Sequence, residues 1–236
     1  MSFDASLSDK ESDVVETKET GRIEAFSDGV FAIATTLLIL EIKVPTLNEN
    51  GQTIETGKQL IQGLLNEWPS YLAYLTGFLS IVVMWLNHHR LFTLIKRSTH
   101  GLMLLNALLL LMVTTIPFPT ALLAHYIDSP NVELANVSVL VYAGVLFVLA
   151  IAYNILWRYV SHNGRLMDRN ADPLAIASIT RSYNVGLVLY ATALAIAFFN
   201  ALISVIIFIF LTIFFALPGA KTVDTEQSPP PQGPGL

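Results

Sequence analysis

The sequence contains no cysteine and little charge, and both absences narrow the range of possible functions. Without thiols there can be no disulfide, no thiolate zinc site and no cysteine nucleophile. Charged residues make up 13% of the chain, whereas a soluble globular domain carries roughly 25%. The apolar residues form long blocks, and a water-soluble fold of this size would have to expose several of them. The composition therefore predicts an integral membrane protein.

Six hydrophobic segments follow one another along the chain, and a helix needs roughly 20 residues to cross a bilayer. The first four segments cover about residues 23–44, 69–92, 102–125 and 137–159. The stretch 185–217 is too long for one crossing and predicts two short helices that turn near Phe199-Asn200-Ala201. An amphipathic piece at about 54–65 precedes the second span. The predicted fold class is an all-α membrane protein with six transmembrane helices.

The two ends of the chain lack long apolar runs and are predicted to lie outside the bundle. Residues 1–20 are acidic and are expected to form a disordered tail, whereas residues 219–236 form a tail rich in proline and glycine. The transmembrane domain is thus expected at 21–218. Lysine and arginine are concentrated before the first span, after the second, between the fourth and fifth, and after the sixth. This pattern predicts that both termini are cytoplasmic in a multi-pass protein of the cell (inner) membrane.

The first span carries the most informative residues. At 100° per residue, one stripe of this helix has spacing 4, 3, 4 and comprises Gly29, Ile33, Thr36 and Leu40. A second stripe lies about 100° away and comprises Asp28, Ala32, Thr35 and Ile39. The helix thus offers an almost uncharged seam beside a face with an acid and a hydroxyl. Both stripes could also simply pack against neighbouring helices, as small residues often do in membranes.

The start of this helix resembles a known family. Arg22-x-x-x-Phe26-Ser27-Asp28 is similar to the R-x-x-x-F-S-D sequence that opens the first helix in the transmembrane protein 175 family of potassium channels. Trp85-x-Asn87-His88-His89, late in the second span, supports the resemblance, which covers about residues 20–218. Members of the bacterial branch carry one six-span bundle per chain and assemble as homotetramers. The resemblance thus implies a potassium-permeable, leak-like cation channel whose partners are further copies of itself, the lipid bilayer and K⁺.

The resemblance also implies that the first helix of each subunit lines a central pore. Carried over position by position, the pore stripe falls on Ile33, Thr36 and Leu40. Ile33 and Leu40 would form apolar rings that can gate by dewetting, and Thr36 would offer oxygens to a partly dehydrated cation. The chain lacks the Thr-Val-Gly-Tyr-Gly carbonyl filter of ordinary potassium channels, so we expect modest selectivity.

The remaining motif residues are expected to hold the pore helix in place; they are Arg22, Phe26, Ser27, Asp28, Trp85, Asn87, His88 and His89. An Asp28 carboxylate without a partner in lipid would be protonated or expelled. We therefore expect hydrogen bonds to Asp28 from the second-span cluster at 85–89. Arg22 is expected to pair with Asp28 or to stack on Trp85, because guanidinium groups favour carboxylates and aromatic faces.

A proton-coupled carrier, a scaffold and an enzyme are the alternatives to a channel. In a proton-coupled carrier, Asp28 and the histidines would form a proton relay. The proline break Pro117-Phe118-Pro119 in the third span has no counterpart in the sixth, which counts against an inverted-repeat transporter. A scaffold that works through the proline-rich tail is a further possibility. An enzyme is disfavoured because His88 and His89 are adjacent, unlike the i, i+4 pair of a metal-binding helix. We expect no cofactor, no metal beyond permeating K⁺ and no nucleic-acid partner.

Overall fold

A computed structural model describes residues 2–47, 51–164, 166–168 and 172–216, and it describes side chains in these ranges apart from 2–18, 163 and 214–216. The regular structure in these ranges is helical except for two isolated β-bridges. The α-helices are α1 (Ser2–Leu37), α2 (Gly57–Asn66), α3 (Trp68–Leu94), α4 (His100–Thr114), α5 (Pro117–Tyr126), α6 (Val132–Ser161), α7 (Pro173–Ala197) and α8 (Ala201–Ala216). Short 3₁₀ helices follow α1 at Leu38–Glu41 and α6 at His162–Gly164.

Capping side chains explain where several helices begin. The Thr56 hydroxyl accepts a hydrogen bond from the Gln59 backbone N–H at 3.3 Å, and the Gln59 side chain accepts from the Thr56 N–H at 3.0 Å. This capping box satisfies two N–H groups that lack a partner at the start of α2. Asp172 caps α7 by accepting from the Leu174 N–H, and Pro173 suits the first helical position.

The turn between the last two helices is where the sequence predicted it. Helix α7 ends at Ala197 and α8 begins at Ala201. The Asn200 side-chain oxygen accepts from the Ile203 N–H at 3.0 Å, so this residue caps α8. The proline break in the third segment is present as well, because α4 ends at Thr114 and α5 begins at Pro117, which has no N–H to continue the ladder.

Four stretches of the described chain are long and apolar enough to cross a membrane: 19–41, 68–94, 100–126 and 132–161. Helix α8 contributes a shorter apolar stretch, Ala201–Ile213. The structure thus supports an all-α protein with several membrane-spanning helices, and the third of the four stretches combines α4 with α5.

Helix α1 also extends through the segment that the sequence predicts to be a disordered tail, because it begins at Ser2. Low hydrophobicity argues against a packed core, but it does not prevent a helix from propagating once it is nucleated, since each added residue gains a hydrogen bond. The second predicted tail, at 219–236, lies outside the described residues.

The bundle is arranged so that α1 lies at one side and α6 near the centre. Helix α1 contacts α3 and α4, whereas α6 contacts α4, α5, α7 and α8. The buried stripe of the first helix comprises Ser27, Phe31, Ala34 and Leu38. Gly77 of α3 allows close packing at the end of this stripe, because a Cβ there would lie 3.0 Å from Thr120 Oγ1 and 3.3 Å from Leu38 Cδ2. The core therefore fixes which side of α1 faces inward.

Candidate pore-lining helix and its supporting network

The predicted pore stripe lies on the side of the first helix that faces away from its own bundle. Ile33 is 60% exposed and Leu40 is 71% exposed, and Thr36 and Gly29 are exposed as well. The buried stripe, which begins at Ser27, lies on the other side of the same helix. One subunit therefore presents an uncovered apolar seam that contains a hydroxyl and a glycine.

The Thr36 side chain keeps its oxygen available on this seam. Its hydroxyl donates a hydrogen bond to the Ile33 carbonyl oxygen at 2.9 Å, within the same helix. A hydroxyl has one donor and two acceptor lone pairs. Because the proton is used internally, the oxygen lone pairs remain free to approach a cation.

Behind the seam, a buried chain of hydrogen bonds connects three helices. The Ser27 hydroxyl of α1 donates to the Ile23 carbonyl oxygen at 2.8 Å and accepts from Asn106 Nδ2 of α4 at 2.9 Å. The other end of that amide, Asn106 Oδ1, lies 2.9 Å from His88 Nε2 of α3. Since the amide oxygen can only accept, His88 donates from Nε2. Ser27 and His88 are 0% exposed, so this chain is removed from solvent within the subunit.

Aromatic rings hold His88 in this orientation. Its ring stacks on Phe92 at a centroid distance of 4.3 Å and meets Phe31 of α1 edge-on at 5.3 Å. The second ring nitrogen, Nδ1, is buried and has no hydrogen-bond partner among the residues with described side chains. The imidazole thus depends on Asn106 for its one hydrogen bond, which makes Asn106 a key residue of the network.

A second pair of contacts joins the acidic side of α1 to α3. Trp85 Nε1 donates to Asp28 Oδ1 at 2.8 Å, which is one of the hydrogen bonds that the sequence predicts for this carboxylate. His89 Nδ1 lies 2.8 Å from Glu24 Oε1. The rings of Trp85 and His89 stack at 6.3 Å, so the two contacts form one patch one helical turn apart.

Two of the predicted supporting residues, Asn87 and Arg22, do not make the contacts that the sequence predicts. Asn87 faces a cavity between α3, α6 and α7, on nearly the opposite side of α3 from Trp85, because two residues along a helix are about 200° apart. Within the described part of the subunit, Arg22 forms neither the ion pair with Asp28 nor the stack on Trp85 that the sequence predicts. It lies six positions before Asp28, which puts the two side chains about 120° apart around the helix. Phe26 is 68% exposed in the single subunit, and its supporting role stays a prediction.

The sequence did not predict that Asn106 belongs to the network, nor that Glu24 pairs with His89. Asn106 lies in α4 among leucines, and a lone amide in such a helix was the available signal, because polar groups in membranes are expensive unless they are paired. Its partners could not be read from spacing, since Ser27 and His88 lie 79 and 18 residues away in sequence.

Comparisons with known proteins identify the family. The family model described as "Endosomal/lysosomal potassium channel TMEM175" matches residues 22–117, the range that holds the predicted pore stripe and the hydrogen-bonded network. A potassium channel of Chamaesiphon minutus is 50% identical over 202 residues, which cover 86% of this chain and 96% of that protein. The chain belongs to the TMEM175 family.

Other TMEM175-like proteins support the same assignment. A potassium channel of Streptomyces collinus is 40% identical over 183 residues, which cover 78% of this chain and 84% of that protein. The crystal structure of a lysosomal potassium-selective channel TMEM175 homolog from Chamaesiphon minutus matches with a TM-score of 0.72 and 46% identity, covering 84% of this chain and 97% of that one. This member of the TMEM175 family is accordingly a multi-pass membrane protein.

Replacing Asp28 tests the patch on α3. We expect Asp28→Ala to lower the yield of assembled protein on size-exclusion chromatography, because it leaves the Trp85 indole N–H without its acceptor on the contact between α1 and α3. Asp28→Asn is the matched control, since its amide oxygen can still accept from Trp85, and it should assemble nearly as well as the parent. Equal loss of assembly in both variants would show that the negative charge matters, rather than this hydrogen bond.

Proposed function

We propose that this TMEM175 family member is one subunit of a homotetrameric, potassium-permeable, leak-like cation channel. The observation that carries the proposal is the uncovered seam of Ile33, Thr36 and Leu40 on a helix whose opposite side is tied to α3 and α4. Four copies of this seam around a common axis would enclose a narrow passage lined by apolar rings and threonine oxygens.

The composition of the seam favours a pore over a lipid-facing surface. Helix α8 provides a comparison, because its exposed surface is uniformly large and apolar and includes Ile203, Ile206 and Phe210. The α1 seam instead contains Gly29 and the Thr36 hydroxyl. A seam of mixed size and polarity on a rigidly oriented helix suits close approach to symmetry mates and to partly hydrated ions.

In this proposal Ile33 forms the constriction. A ring of four isoleucine side chains offers no oxygen to replace the hydration shell of an ion, so it resists permeation and can close by dewetting. Thr36, one turn further along, supplies the oxygens that favour a partly dehydrated cation, and Leu40 forms a second apolar ring. The names of the Chamaesiphon minutus and Streptomyces collinus relatives, which are potassium channels, support K⁺ as the permeating ion.

The same proposal places six crossings in each subunit, formed by α1, α3, α4 with α5, α6, α7 and α8. Helix α7 has 25 residues, and at 1.5 Å per residue it is about 37 Å long, enough for a hydrocarbon core of about 30 Å. Helices α7 and α8 both pack against α6, which supports their place in the same membrane-spanning bundle. An even number of crossings puts both termini on one side, and the lysine and arginine pattern favours the cytoplasmic side of the cell membrane.

The direct test is planar-bilayer recording of the purified protein in a potassium/sodium gradient. We expect single-channel current steps with a reversal potential shifted toward that of potassium, because Thr36 and the narrow apolar rings favour the ion that loses its hydration shell more easily. Bilayers that received protein-free vesicles serve as the control. A flux that saturates with substrate and lacks current steps would instead favour the carrier, and a well-folded tetramer with no current would contradict the channel.

A further inference from the structure

A cavity of about 140 Å³ lies between α3, α6 and α7, on the side of α3 that faces away from α1. It is separate from the seam and from the network behind it. Most of its wall is apolar and includes Val83, Met84, Leu146, Leu149, Ile179 and Leu187. The cavity is partly open, and a mostly apolar space of this kind suits an apolar chain. The rest of its lining includes Ser182 and the rings of Tyr153, Tyr183 and Tyr190.

One end of the cavity is polar. Asn87 and Arg90 of α3 line it there, and the Arg90 side chain is exposed. This end lies close to the surface of the bundle, because the Asp168 N–H donates to the Leu94 carbonyl oxygen at 3.2 Å and so ties the last residue of α3 to the connection between α6 and α7. At 1.5 Å per residue, Arg90 is about 6 Å from the end of α3, and Val83 is about 10 Å deeper.

These depths match the length of a phospholipid within one leaflet, from the headgroup toward the end of the acyl chain. The hydrocarbon part of one leaflet is about 15 Å thick, so a cavity about 10 Å deep from Arg90 to Val83 remains within one leaflet. In the membrane orientation proposed above, its polar end would lie near the headgroups and its apolar walls would extend toward the bilayer centre. An acyl chain and its headgroup would therefore meet the matching parts of the cavity.

Among the residues with described side chains, the Arg90 guanidinium has no anionic partner. The neighbouring His89 pairs with Glu24, and no hydrogen bond joins the Arg90 guanidinium to the described part of the chain. An exposed arginine at the membrane boundary is solvated by water or by lipid headgroups, and its planar fork binds phosphate oxygens in pairs. Arg158, toward the same end of the bundle, adds positive charge. Basic pockets between transmembrane helices are suited to anionic headgroups.

We propose that this cavity binds an anionic membrane phospholipid, with one acyl chain between α3, α6 and α7 and the phosphate on Arg90. The Asn87 amide is placed to donate a further hydrogen bond to the headgroup. In the orientation proposed above, the lipid belongs to the cytoplasmic leaflet. The lipid site requires that the protein lies in a bilayer, but it does not depend on the pore. A negative result for one of the two proposals therefore does not contradict the other.

The headgroup part is tested by native mass spectrometry of the full chain, reconstituted with equal amounts of phosphatidylglycerol and phosphatidylcholine. We expect the parent protein to retain phosphatidylglycerol preferentially. Arg90→Gln should reduce this retention about tenfold, the scale of one charge-assisted hydrogen bond. Arg181→Gln is the matched control, because it removes the same charge from an exposed residue that does not line the cavity, and it should retain the lipid.

The acyl-chain part is tested by filling the cavity. Ala150 lines it on α6, whereas Ala191 of α7 is similarly half-buried but lies outside it. We expect Ala150→Leu to reduce retention of both phospholipids and Ala191→Leu to leave it unchanged.

Equal retention of the two phospholipids by the parent protein, or equal losses in Arg90→Gln and Arg181→Gln, would overturn the proposal, because the headgroup would then be recognised by diffuse charge or not at all.

Discussion

Replacing Ile33 with asparagine is expected to raise single-channel conductance and to erode selectivity for potassium over sodium. The side chain is 60% exposed on the seam and has no role in the core of its own subunit. An amide in place of each isoleucine would bring four oxygens to the constriction, which lowers the cost of moving a partly hydrated ion through it. A reduction of the barrier by about 1.4 kcal/mol corresponds to roughly tenfold higher conductance.

The control for this experiment is a similar isoleucine elsewhere on the surface. Ile206 of α8 is 56% exposed, so Ile206→Asn makes the same chemical change at a comparable exposure without touching α1. Planar-bilayer recording should show parental conductance and reversal potential for Ile206→Asn. If Ile33→Asn also permeates like the parent, and changes at Thr36 do as well, then the seam does not line the ion route.

Replacing Asn106 with leucine is expected to destabilise the subunit by about 2–3 kcal/mol. The substitution removes the acceptor for His88 Nε2 and the donor to Ser27 Oγ, both in a site closed to solvent. His88 would then have two unsatisfied ring nitrogens, because Nδ1 already lacks a partner among the described side chains. For a chain of this size we expect the midpoint of thermal unfolding in detergent to fall by about 4–12 °C.

Two further variants separate the network from a general effect of the substitution. Asn136→Leu makes the same change at a half-buried position of α6, where the described part of the chain gives the amide no hydrogen bond, and it should shift the midpoint little. The triple variant Ser27→Ala, His88→Phe, Asn106→Leu should recover part of the loss, since replacing all partners with apolar groups leaves nothing unsatisfied. Fully additive losses in the triple variant would contradict a shared hydrogen-bond chain.

Much of the local structure was predictable from the sequence. The Pro117 break and the turn before Ala201 followed from the chemistry of proline and from a limit on crossing length. The exposure of Ile33 and Leu40 agrees with the stripe that helical periodicity separated. The helix at 2–20 was not predicted, because composition reports the capacity to form a core and says less about backbone conformation.

The partners of the polar residues were the part that sequence reasoning could not assign. The motif at 85–89 suggested one cluster around Asp28, yet the structure divides it: Trp85 bonds Asp28, His88 bonds Asn106, and Asn87 turns toward the cavity. Consecutive residues on a helix point in different directions, so a motif that is compact in sequence serves several neighbours in space.

The sequence by itself determined that this is a multi-span helical membrane protein. It also determined that one stripe of the first helix differs from the others, because periodicity and hydropathy are local properties of the chain. Only the tertiary structure decided which stripe faces inward, which amide joins Ser27 to His88, and that Arg90 borders an apolar cavity. These outcomes depend on contacts between residues far apart in sequence, and no spacing along the chain encodes the distance between two packed helices.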